Sequence, residues 1–177
     1  MGEVIEVSII SHNDDMAEKV MCFMEDLFEI KNGIRNIEVM DNWNYENTVH
    51  LNSLDEAKKY MNSKIITYTE NSFEEQIGVS IEHFSDYYRY DFWYNPRLEL
   101  SADECKNIYS QFVNCFQENL KDGILMAGIG REIFIDFDLN IDDIIKKSHN
   151  IDIWIIKKDI YEKCRLKSIE KTDIILI

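Results

Sequence analysis

Between Ile77 and Tyr94 the apolar residues change phase once, and that single slip constrains the fold more than any other feature of the chain. Ile77, Val79 and Ile81 occupy odd positions with Ser80 and Glu82 between them, whereas Tyr88, Tyr90, Phe92 and Tyr94 occupy even ones. Strand side chains alternate faces, so a slip around His83 to Asp86 requires either a bulge or a turn joining two strands. The second strand lies in a segment, Phe84 to Tyr94, that holds seven aromatics in eleven residues. Its even positions read as core, which leaves Tyr87, Arg89, Asp91 and Trp93 on the opposite face. Tyr, Trp and Arg are the residues enriched at interface hot spots, so these four form the candidate partner-binding face. The competing expectation is that loops or the helix after Pro96 fold over this face as a second layer.

The flanking segments alternate between strand and helix signals. Val4 to Ile10 reads as a strand with Ile5, Val7 and Ile9 on one face. A helix is expected next, capped by Asn13 or Asp14, with Met16, Val20, Phe23, Met24 and Leu27 at helical spacing and Asn32-Gly33 as its stop. Ile34 to Met40 and Thr48 to Leu51 read as short strands across an Asn-rich turn. Ser53-x-x-Glu56 is a capping box opening a short helix to about Met61, and Lys64 to Glu70 is a strand. A second capping box, Ser101-x-x-Glu104, opens a helix whose stripe is Cys105, Ile108, Tyr109, Phe112, Val113, Phe116 and Leu120, ended by Asp122-Gly123. Ile124 to Ala127 and Arg131 to Leu139 read as strands, Ile141 to Ser148 as a short helix, and Ile174 to Ile177 as a last strand. Ile151 to Ile156 is apolar throughout, the mark of a strand buried on both faces. Strands and helices mixed in this way, with hairpin-length connections, predict an α+β fold. It should be a single compact domain over residues 1–177, with a mixed or antiparallel sheet and about three to five helices packed on it.

Charge decides which partners such a fold can meet. Residues 1–143 carry 29 acidic against 11 basic side chains and residues 144–177 carry 5 against 8, for a net charge of −15. A field of that sign repels nucleic acid and anionic membranes and attracts cationic partners. With 45% hydrophobic and 12% aromatic residues the chain has core material enough to wear its acids on a folded surface. No apolar run approaches a membrane span, and Glu3 and Glu6 stand where a signal peptide would be basic or apolar, so a cytoplasmic protein is expected. Cys22, Cys105, Cys115 and Cys164 are dispersed, as reduced thiols in that compartment would be.

Signatures of chemistry are thin. Asp136, Asp138, Asn140 and Asp142 open like a calcium loop, but Ile141 stands where the sharp turn needs Gly and Lys147 where a bidentate Glu is required. Asp136 and Asp138 on one strand face remain able to hold a cation. Gly128-Ile129-Gly130 lacks the third glycine of a dinucleotide loop and the Lys-Ser/Thr of a P-loop. His12, His50, His83 and His149 are isolated in sequence. His83 beside Glu82 and Asp86, or Cys22 or Cys105 as nucleophile, would need tertiary pairing. No cofactor, no metal and no catalytic residue is expected.

In size, acidity and an aromatic-rich strand, Tyr87 to Pro96 with the helix that follows, the chain resembles the bacterial immunity proteins of polymorphic or contact-dependent toxin systems. The resemblance implies a non-catalytic binder that covers the basic active site of a toxin such as a nuclease, with no direct contact to nucleic acid or membrane. Two other classes stay open: an anionic mimic of nucleic acid that inhibits a DNA-binding nuclease, which needs a long phosphate-like track of carboxylates, and a small enzyme without a local signature.

Overall fold

The computed structural model describes residues 5–12, 16, 19, 34–71, 75–84, 87–96, 101–119, 123–129, 133, 148–164 and 173–176. Its frame is one sheet of nine strands: β1 (Ile5–Ser11), β2 (Ile34–Met40), β3 (Val49–Leu51), β4 (Ile65–Asn71), β5 (Glu75–Phe84), β6 (Tyr87–Pro96), β7 (Ile124–Ile129), β8 (Ile153–Ile156) and β9 (Asp173–Leu176), in the order β3-β2-β4-β5-β6-β1-β7-β8-β9. Every neighbouring pair is antiparallel except β8 with β9, which is parallel.

This sheet-dominated fold overturns the expected α+β domain with three to five helices packed on a sheet. Outside the strands, helical structure among the described residues comprises α1 (Leu54–Ala57), one 3-10 turn (Lys58–Tyr60), α2 (Ala102–Asn119), α3 (Lys158–Cys164) and residues 16 and 19. The physical reason is long-range pairing: β1 lies between β6 and β7, partners far along the chain, and no local pattern encodes such contacts. The short helix expected from Ser53 to about Met61 is present, with the Ser53 hydroxyl accepting the Glu56 N–H at 3.3 Å and the last turn tightened to 3-10. Most of the chain's apolar alternation is spent on strands that pair across the whole sheet.

The phase slip is a turn, not a bulge. Phe84 pairs with Tyr87, and from there Ile81 faces Tyr90, Val79 faces Phe92 and Ile77 faces Tyr94, so the odd and even apolar rows land on one face. β1 lies on the far side of β6 and adds Ile9, Val7 and Ile5 opposite the same three aromatics. Ile66 and Tyr68 of β4, Ile37 and Val39 of β2, and Leu125 and Ala127 of β7 extend the row. Met16, Phe116 of α2 and Ala57 of α1 are buried against it, forming the main core. Each fully buried aliphatic or aromatic side chain here contributes about 1.5–3 kcal/mol. Glu70 brings a carboxyl onto this face: buried opposite Ile77, it accepts the Tyr68 hydroxyl at 3.1 Å and lies 3.3 Å from Nε of Arg35, its cross-strand partner.

Toward one end of the opposite face Met40 and Ile65, cross-strand partners, are buried, while its larger apolar cluster lies at the other end. Ile10, Ile124, Met126, Trp154 and Ile156 form a second core there with Tyr87 and Ile151, packed against Ile160 and Tyr161 of α3. β8 is therefore covered on both faces, as its unbroken apolar run predicts, with Ile155 in the main core and Trp154 and Ile156 in the second. α3 itself falls in a stretch given no element from sequence. The Ser101 cap holds as expected: its N–H and Oγ donate to Glu104 Oε2 at 2.8 and 2.6 Å, and these two bonds keep the Glu104 carboxyl below its ordinary pKa. Of that helix's stripe, Phe116 is buried and Val113 half-buried, while the other side chains lie outside the described ones. The expected helix over residues 141–148 and strand over 131–139 lie outside the described residues, apart from Ile133 and Ser148.

Candidate functional site

Where the second core stops, the open face becomes polar, and the register fixes its content. Trp93 stands between Glu6 and Gly78, Asp91 between Ser8 and Ser80, and Arg89 between Ile10 and Glu82. The four residues expected to form a binding face thus divide. Tyr87 is 3% exposed, stacks on Phe84 with ring centroids 5.5 Å apart and belongs to the second core. Arg89, Asp91 and Trp93 stay together on the open face, each half-buried.

Arg89 and Asp91 are two apart on one strand, which puts both side chains on the same face, and the guanidinium Nε meets the Asp91 carboxylate directly. The buried Ser8 hydroxyl donates to the other oxygen of Asp91 at 2.5 Å. Glu6 turns its carboxylate to the backbone of Ile133, which donates its N–H at 2.7 Å. Together with Trp93 these groups line a cleft of about 160 Å³, room for one side-chain-sized group.

Trp93 owes its position to a residue without a side chain. Its indole lies over Gly78, its cross-strand neighbour, where a Cβ would run into ring atoms Cζ2, Cε2 and Cη2. Glycine weakens a strand interior, and a flat aromatic ring shields the backbone it leaves bare.

One register step away, Glu82 carries the electrostatic tension of the face. Burial pushes its carboxyl above the ordinary glutamate value; the Arg89 guanidinium and a hydrogen bond from the Trp43 side chain pull it down, and Asp91 pushes it up again. Glu82 also borders a second cleft, of about 210 Å³, with Asp41, Asn62, Ser63, Lys64, Ile65 and His83. In it Lys64 pairs with Asp41, and that bond, followed by the one from Asn47, lowers the Asp41 carboxyl.

Other sequence candidates separate. His83 packs against Tyr88, its cross-strand partner, with the rings tilted at 42° and their centroids 4.6 Å apart, and Asp86 lies outside the described residues. His50 sits on β3 at one end of the strand order, 3.4 Å from Glu38, whereas His149 precedes β8 near the other. Cys115 is a reduced thiol whose burial raises its pKa, the reverse of what a nucleophile needs. Cys22, Asp136 and Asp138 lie outside the described residues, as does the Cys105 side chain. Among the described residues no helix is long and apolar enough to cross a membrane.

Trp43 was missed from sequence, because an Asn-rich turn gives no pattern to say which way its aromatics point. Comparison with known protein families, with characterised proteins and with solved structures finds no match for this chain, so function is argued from these residues alone.

Proposed function

We propose that the protein is an acidic, non-catalytic binding protein that neutralises a cationic protein, acting in the cytoplasm as an immunity protein does against a toxin such as a nuclease. The observation that carries this reading is the net charge of −15 on a chain with a well-filled core. A surface of that sign speeds the encounter with a basic protein and discourages nucleic acid, anionic membranes and a second copy of itself.

The polar face of Arg89, Asp91 and Trp93 supports the same reading. Its one guanidinium is already matched by Asp91, so the positive charge there is spent internally. The half-buried Trp93 edge beside the small cleft can take one inserted side chain. Tyr87 does not take part, since the second core holds it.

The reading is tested by passing native-host extract over the immobilised protein at rising salt and assaying the eluted protein with and without it. A basic protein released by salt, whose activity is lost on rebinding, is the expected result. Retention of a neutral or acidic partner at every salt concentration, or turnover of a small molecule by the protein itself, overturns it.

A further inference from the structure

The turn between β2 and β3 carries an exposed apolar surface unlike any other among the described residues. Trp43, Tyr45 and Val49 are 49%, 64% and 48% exposed, and they are the large apolar side chains most open to water there. Exposed aromatics gathered at one hairpin tip mark an interaction site. The tip is also fixed in shape. Asp41 N–H donates to Glu46 O at 3.0 Å, Tyr45 N–H to Asn42 O at 3.1 Å, the Thr48 hydroxyl to Tyr45 O at 2.8 Å and the Asn47 amide to Asp41 at 2.6 Å. Tyr45 and Asn47 are held in the left-handed region with φ of 62° and 51°, which a tyrosine adopts at a cost. The Trp43 side chain is tied in turn to Glu82.

An occupant must be compatible with both the rings and the charge. A second copy of this chain brings another net charge of −15, and nucleic acid or an anionic membrane brings the same sign. A guanidinium satisfies both features, because it stacks on aromatic faces and pairs with carboxylates, and it loses less hydration than an ammonium. Glu46 places a carboxylate within the tip, where its Oε2 accepts the Asn42 amide at 2.8 Å, Asp41 is paired there with Lys64, and Glu82 lies beside Trp43. We propose that the β2–β3 tip, through Trp43 and Tyr45, is the surface on which a basic protein partner seats its arginine side chains. This rests on the neutralising-binder reading and names a docking surface for it.

The test uses the whole chain and two peptides of equal charge, deca-arginine and deca-lysine. The three tryptophans, Trp43, Trp93 and Trp154, give separate indole N–H resonances, assigned with Trp43→Phe and Trp93→Phe. The expected result is tighter binding of deca-arginine than of deca-lysine, with the Trp43 resonance moving and that of buried Trp154 still. The double variant Trp43→Ala with Tyr45→Ala should lose about tenfold in deca-arginine affinity while its circular dichroism is unchanged. If the wild type binds but the Trp43 resonance does not move, or only that of Trp93 does, the docking surface is wrong and the binder reading stands. If the wild type binds neither peptide, both fall.

Discussion

The indole of Trp93 lies against Gly78, its antiparallel partner, and the two residues fit only because one of them has no side chain. Gly78→Ala should force the ring off the sheet and cost about 1–3 kcal/mol, the usual price of overpacking. Trp93→Ala should cost less than removal of a fully buried tryptophan, since the ring is half-exposed, but should uncover the Gly78 backbone. Urea midpoints of the two variants check this; a Gly78→Ala protein as stable as the parent contradicts the packing.

Glu82 makes an unusual acid dependence. Its folded pKa lies above its unfolded value, chiefly through burial, so between the two values the folded chain holds more protons and stability falls as pH rises. Glu82→Gln should therefore raise stability at neutral pH and flatten the slope just above the ordinary carboxylate range. Melting curves across pH decide it, with an unchanged slope as the contrary outcome.

Asp41 should behave with the opposite sign. Its folded pKa is depressed, first by the Lys64 bond and then by Asn47, so its contribution is present above the unfolded value and is lost as pH falls through the folded one. Asp41→Asn should weaken the hairpin at neutral pH and bring no further loss in acid. Hydrogen exchange of the Tyr45 N–H against pH reads this locally, and equal protection in variant and parent at neutral pH would count against it.

Tyr45 tests whether backbone strain is kept for binding. Tyr45→Gly relieves a positive φ and should stabilise the fold by about 0.5–1 kcal/mol, while lowering deca-arginine affinity. A variant both more stable and equally tight in binding would mean that the ring is incidental.

The hairpin of β5 and β6 was legible because two apolar rows of opposite parity leave few ways to share one face. Both capping boxes and the doubly buried β8 were legible for equally local reasons. The dominance of the sheet was not, because β1 pairs with β6 and β7, which lie far along the chain, and no local pattern encodes such pairing. Tyr87 was misassigned because alternation places it beside Arg89 and Asp91 but cannot show that α3 and Trp154 close over that end of the face. Trp43 and Tyr45 escaped notice because turn residues carry no periodicity, and only the folded tip reveals their exposure.

The central claim is that charge of this size drives association with a basic protein. Its most direct measure is the association rate constant of the purified host partner, followed from low to high ionic strength. The account predicts a basic partner whose association rate falls steeply with salt while dissociation changes little. A rate indifferent to ionic strength, or a partner without net positive charge, would contradict it.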